Sequence, residues 1–172
     1  MVPFAMPNTS LLLCEITARS MQLKTAPDAF VSGLMHDMGK LILLEMAPDQ
    51  LIKIIKHAED KHISFHQAET ELGLPSHQHL GIELGKHWRL PNAVIEAIQY
   101  HHGDGTKTEH KITEWANVYA HTQKIGFSGS YEVPEPEVEG TMAKAFGLSD
   151  KARKQIESLF QKEFEKAGAI LS

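Results

Sequence analysis

A single cysteine, Cys14, serves this 172-residue chain. No internal disulfide can form, which fits a reducing, cytoplasmic setting. No apolar run approaches the roughly 20 residues needed to cross a bilayer. Leu11-Leu12-Leu13-Cys14 lacks the preceding positive charges and small-residue cleavage site of a secretion signal. Positive charge is in deficit, with 17 Lys and Arg against 22 Asp and Glu and a formal net charge of -5. With no Lys/Arg cluster either, the expectation is no nucleic-acid partner and no membrane partner. Strand-length alternation and internal repeats are both missing, so the expected fold class is all-α.

What the chain has is helical periodicity over one domain-sized length. The pattern predicts a domain over residues 1–172 built of about seven to eight helices. Its core lies at 6–126, a Gly-, Ser-, Pro- and Glu-rich loop at 126–140, and a last amphipathic helix at 149–168. A first helix covers 11–21. Thr25 is placed to cap a second over 27–46, with Pro27 and Asp28 in its first turn. That helix carries Phe30, Val31, Leu34, Met35, Met38, Leu41, Ile42, Leu43 and Leu44 around its circumference, so it is expected to be buried at the centre. Gly33 and Gly39 allow close packing or room for a ligand. Further helices are read at 48–61, 64–72, 76–88 (capped by Ser76), 91–102 and 109–125. Trp88 and Leu90 are expected to pack on the 91–102 helix, with Trp88→Ala costing about 3 kcal/mol.

Histidine is abundant, at eleven residues. His57, His62, His66, His87 and His110 sit among polar neighbours and receive no role. Others fall on inward faces. His101 and His102 follow Ile98 by three and four residues, and His77 shares a face with Leu80, Gly81, Leu84 and Trp88. Asp37 adjoins the Phe30/Leu34/Leu41 stripe, with His36 on the opposite side of the same helix. His121 joins Val118 and Ile125. Imidazole and carboxylate on separate helices are the donors that bind borderline divalent metals. A plainer set of roles also exists: Asp37 pairing with Lys40, and His101 and His102 meeting a helix C-terminal dipole.

The string Gly33-Leu34-Met35-His36-Asp37-Met38-Gly39-Lys40-Leu41 resembles the signature of the HD superfamily. His77-x-x-x-Gly81, Trp88-x-Leu90-Pro91 and Ile98-x-Tyr100-His101-His102 resemble more closely its HDOD branch, the HD-related output domain of bacterial signal transduction. The resemblance spans about residues 8–170 and implies an HD-like helical bundle. Two positions depart from the catalytic H…HD…D pattern: Thr9-Ser10 stands where that pattern has His-Ser, and Ala120-His121 where it has Ala-Asp. The G-Y-P motif of cyclic-di-GMP phosphodiesterases is missing after His102. The N-terminal half of a typical HDOD domain is also missing, so the chain is expected to be a fragment or a shortened member.

The resemblance implies a non-catalytic regulatory output domain working with receiver, GGDEF or kinase modules, with a nucleotide as a conceivable ligand. The alternatives are a metal-dependent phosphohydrolase of a nucleotide or cyclic dinucleotide, with Asp37 and Lys40 as candidate catalytic groups, and a purely structural adaptor. Asp37, His77, His101 and His102 match positions that hold a second metal in the two-metal branch, and His36 and His121 stand as supplementary ligands. The expected cofactor is none, or one weakly held Zn, Ni or Fe.

Overall fold

The computed structural model describes residues 7–125 and 128–171. Among them the chain forms α1 (Pro7–Ser20), α2 (Ala26–Met35), α3 (Met38–Met46), α4 (Pro48–Lys61), α5 (Phe65–Glu71), α6 (His77–His87), α7 (Asn92–Tyr100), α8 (Thr108–Thr122), α9 (Pro136–Ala145) and α10 (Asp150–Leu171), with no strand. The all-α class is the one the periodicity implied and the bundle is the HD-like one the resemblance implied, with ten helices among the described residues rather than seven to eight. No helix among the described residues is long and apolar enough to cross a membrane.

Three packed clusters hold the bundle together. Leu13 and Cys14 of α1 meet Ile112, Trp115 and Tyr119 of α8, and Ile156 and Phe160 of α10 close over them with Phe146 and Leu148. A second cluster joins Leu43 of α3 to Leu51, Ile54 and Ala58 of α4 and Phe65 and Ala68 of α5. A third joins Met38 to Val94 and Ile98 of α7, with Ile82 and Leu84 of α6 alongside. Two helix crossings depend on glycine. A Cβ at Gly33 would lie 2.6 Å from the Leu11 Cα and from the Ser10 carbonyl of α1. A Cβ at Gly39 would overlap the His77 carbonyl, and Gly81 faces it across the same crossing. Only hydrogen fits there, so the backbones of α3 and α6 touch.

The structure corrects several expectations. The 27–46 helix is two helices, broken at His36-Asp37. The His36 ring Nδ1 donates to the Gly33 carbonyl at 2.8 Å, and Asp37 adopts φ -101° and ψ 10° before α3 begins. A ring nitrogen thus claims a carbonyl that a continuing helix offers to a later amide. The pair is not buried all round either, since Phe30, Leu34, Leu41 and Leu44 are exposed. Thr25 makes no cap bond, and its hydroxyl donates to Glu109 at 2.8 Å instead. Ser76 does cap α6, accepting from the His79 amide. α6 ends at His87 and Arg89 turns left-handed at φ 57°, so Trp88 swings out to 56% exposure, while Leu90 packs beside Val94 and Ile98. The segment read as loop to residue 140 turns helical at Pro136. Residues 6, 126 and 127, at the expected edges of core and loop, lie outside the described residues.

Two substitutions separate these contacts by urea unfolding. Gly39→Ala is expected to cost about 1–3 kcal/mol, because the added methyl meets backbone that cannot yield. Trp88→Ala is expected to move stability by no more than about 0.5 kcal/mol, as for an exposed side chain.

Candidate metal centre

The break between α2 and α3 turns Asp37 toward the N-terminus of α6 and the C-terminus of α7. Asp37 Oδ1 lies 3.3 Å from His77 Nε2 and 3.4 Å from His101 Nε2. His77 Nε2 lies 3.1 Å from His101 Nε2 and 3.0 Å from His102 Nε2. One donor atom from each of Asp37, His77, His101 and His102 falls within 4.8 Å of the others. Metal–nitrogen and metal–oxygen bonds of about 2.0–2.1 Å arranged tetrahedrally set donor–donor edges of about 3.4 Å. The four atoms are spaced to hold a metal ion.

Hydrogen bonding on the far side of the His101 and His77 rings gives the same answer. His101 Nδ1 lies 2.8 Å from the Ile98 carbonyl, and a carbonyl only accepts, so Nδ1 carries the proton. His77 Nδ1 lies 2.8 Å from Glu69 Oε2, while Glu69 Oε1 accepts the His77 amide at 2.7 Å. In the neutral rings both Nε2 atoms therefore present lone pairs to each other and to a carboxylate. Asp37 Oδ1 is itself buried with no hydrogen bond. Lone pairs crowded at about 3 Å need a cation between them.

The electrostatics follow. Burial pulls the Asp37 carboxyl upward, but the Lys40 ammonium and His36 outweigh it and hold the pKa well below the ordinary range. Burial takes His101 down to about 3 and lowers His102 and His36 as well. His77 goes the other way: burial opposes its charge, yet Asp37 and Glu69 together raise it. Of the three imidazoles, His77 is the one whose surroundings favour a proton.

Asp37 has a second pole. Its Oδ2 accepts from Lys40 Nζ at 2.9 Å and lies 3.5 Å from His36 Nε2. Lys40 is buried, bonds the Ser128 carbonyl at 3.2 Å and sits 4.8 Å above the Phe65 ring. His121, lowered to about 4 mainly by burial, pairs with the Ser128 hydroxyl at 3.2 Å.

Of the six residues singled out as ligands, four converge. His36 and His121 border the cluster without joining it. His36 lies on the same side as Asp37 rather than opposite, because the helix breaks between them. Three participants escaped the sequence reading. Glu69 is buried and orients His77; its spacing with Phe65, Ala68 and Leu72 marks the inner face of α5, a signal that was there to find. His66, set aside as polar surface, stacks on His102 at 4.8 Å between centroids and 13° between planes. Ser128 lies in a segment with no periodicity to reveal it. His110, also set aside, is buried but bonds Glu96, away from the cluster.

Two outcomes test the centre. Metal uptake is expected to release a proton at pH values below the raised His77 pKa, where the ion displaces the one on His77. Affinity should then fall as pH drops through the raised His77 pKa, while His101 and His102, already neutral, add nothing; calorimetry in buffers of different ionisation enthalpy counts the protons. Glu69→Gln leaves one carbonyl oxygen for two N–H donors, and is expected to weaken metal binding by about 10–100-fold, the usual effect of losing a ligand's hydrogen-bonded support.

Comparison with known proteins places the chain. The model of the HDOD domain matches residues 8–103, more than half of the length. An HDOD domain protein of unknown function from Geobacter sulfurreducens superposes with TM-score 0.71 at 22% identity, over 95% of this chain and 59% of the other. A Shewanella amazonensis protein provisionally named a phosphohydrolase gives 0.66 at 17% identity, over 92% and 58%. An uncharacterized protein of Treponema pallidum is 31% identical over 75 residues, 44% of this chain and 15% of that one. This chain thus spans about three fifths of the two solved relatives and a smaller part of the third. With the ordered motifs, the helical frame and the family match in agreement, the chain belongs to the HDOD domain family.

Proposed function

We propose that this chain is a non-catalytic regulatory output domain whose His/Asp cluster weakly holds at most one divalent transition metal. Three imidazoles and one carboxylate suit Zn, Ni or Fe better than Mg, which prefers oxygen donors. When bound, such an ion would tie the α2–α3 turn to α6 and α7 and supply a Lewis acid. The observation that carries the reading is the division of labour on Asp37. Oδ1 faces the imidazoles, while Oδ2 is held by the Lys40 ammonium at 2.9 Å. A two-metal hydrolytic clamp needs a second cation about 3.5–4 Å from the first, shared through such a carboxylate. Here a lysine nitrogen stands in that place. Thr9 and the Ser128-bonded His121 supply no replacement ligand pair. Receiver, GGDEF or kinase modules are the partners this reading implies, in the cytoplasm.

A second reading, a phosphohydrolase acting on a nucleotide or cyclic dinucleotide, draws support from one feature. The Asp37 side chain keeps 22% exposure, which puts the edge of the cluster, though not the buried Oδ1 face, next to solvent. A metal with an open position activates water.

Metal titration of the wild type and of a His101→Ala/His102→Ala double variant separates the outcomes. The wild type is expected to take up no more than one equivalent and the double variant none, with no turnover of a cyclic dinucleotide or of bis(p-nitrophenyl) phosphate under Zn, Ni, Fe, Mn or Mg. Metal-dependent hydrolysis lost in Asp37→Ala would move the assignment to the phosphohydrolase. Equal uptake by both proteins would remove the metal centre.

A further inference from the structure

Away from the metal centre, α1, α2, α7 and α8 leave a cavity of about 20 Å³ between them. One water takes up about 10–15 Å³ of such space, so one or two heavy atoms fit inside. The wall is mostly apolar. Ala18 of α1, Ala29 of α2 and Ala93 and Ala97 of α7 supply methyls to it, with Ile112 of α8 beside them. The polar side chains on the wall differ in what they have left to give. Thr25 donates to Glu109 Oε1 at 2.8 Å and Thr113 donates to the Glu109 carbonyl at 3.2 Å, so both hydroxyl protons are spent. Ser32 is 6% exposed, and its hydroxyl has no hydrogen bond among the described residues. Asp28 and Glu109 have no ion pair among them either; Lys107, close by in sequence, is held by Glu96 at 2.6 Å. Each acid stands in the first turn of its helix, where a carboxylate suits the dipole. That accounts for the acids and leaves Ser32 unexplained, since a buried hydroxyl without a partner forfeits hydration and gains nothing.

We propose that this cavity binds a short primary alkylammonium ion, with its carbons against the alanines and its nitrogen toward Asp28, Glu109 and Ser32. An ammonium group carries three N–H donors and no acceptor. The wall offers oxygens with unused lone pairs on these same three side chains, and two of them are carboxylates, whose bonds to an ammonium are charge-assisted. Other occupants suit the wall less well. Hard metal cations surround themselves with oxygen, and alanine methyls offer none. An anion meets two carboxylates and no cation. A lone water satisfies Ser32 but leaves both acids without a counter-charge. An ammonium with a long chain exceeds the space, so the ligand class is the short amine. The site shares α2 and α7 with the metal centre but none of its ligands, so either stands without the other.

The probe is ethylammonium chloride, titrated into the full isotope-labelled chain and followed by amide chemical shifts. Sodium chloride at equal ionic strength and ethanol, the uncharged molecule of the same size, are the controls. The amides of Ser32, Ala97 and Ile112 are expected to shift along a saturating curve. A ligand of so few heavy atoms is expected to bind with a Kd of about 1–10 mM. Asp28→Asn is expected to weaken binding about tenfold and Ser32→Ala about fivefold, as for the loss of a charged and a neutral hydrogen-bond partner. Ala97→Leu is expected to abolish binding by filling the space. Should Ala97→Leu fail to fold, the two polar variants decide, since neither adds bulk to a helix contact. The site is overturned by no saturable shift, by an equal response to sodium chloride or to ethanol, by undiminished affinity in either polar variant, or by binding that survives Ala97→Leu.

Discussion

The crossing of α3 over α6 sets the positions of everything that carries chemistry here. At Gly39 the α3 backbone rests against the His77 carbonyl, and Gly81 answers it from α6. Side chains on both helices normally hold axes some 8–10 Å apart, and glycine removes them. Asp37 and His77, two residues before Gly39 and four before Gly81, are thereby carried into contact. The rest of the bundle serves this approach. The α1–α8–α10 core anchors α8 behind it, and Met38, Val94 and Ile98 lock α7 so that His101 and His102 arrive from the third direction.

The approach brings like with like. Imidazole lone pairs and a carboxylate oxygen share one small space, and none brings a proton unless His77 takes one. Such an arrangement is destabilising by itself, because a buried acceptor without a donor forfeits hydration and gains nothing. Two cations relieve it on its two sides. Lys40, placed three residues along, settles the Oδ2 side permanently. The Oδ1 side is left to whatever exchangeable cation, a proton or a metal, the cluster could take up. An exchangeable charge that ties three helices together is a physical basis for sensing, since any ion that binds the folded cluster and not the unfolded chain stabilises it in proportion to its concentration.

Much of this was legible in the sequence, and the reasons for the rest are specific. The helical class, most boundaries and the inward phase of His77, His101 and His102 follow from 3.6-residue periodicity. So does the Ser76 cap, which is a local interaction between neighbours. The break at His36-Asp37 was not legible, because an uninterrupted apolar pattern says nothing about a ring nitrogen taking the Gly33 carbonyl. The same break undid the placement of His36, since phase counted along one helix is lost across a turn. Trp88 was misplaced by one residue of helix: the face it would share with His77 ends at His87. Glu69 was readable from its α5 stripe but looked like an ordinary surface acid. Ser128 had no pattern to be read from, as its position depends on contacts some 88 residues away along the chain.

The apolar residues of α2 and α3 surround the cluster's broken turn. Phe30, Leu34, Leu41 and Leu44 stand exposed on the two helices that flank the broken turn, while the polar pair between them points inward. Turn and surface belong to the same two helices, with Gly33 pressed on α1 and Gly39 on α6. A cation that draws Asp37 toward the imidazoles pulls on α2 and α3 together, because packed helices shift as units rather than bending. The lysine, the glycines and the cluster thus lie on the same pair of helices, with their charged end buried and their apolar end in solvent.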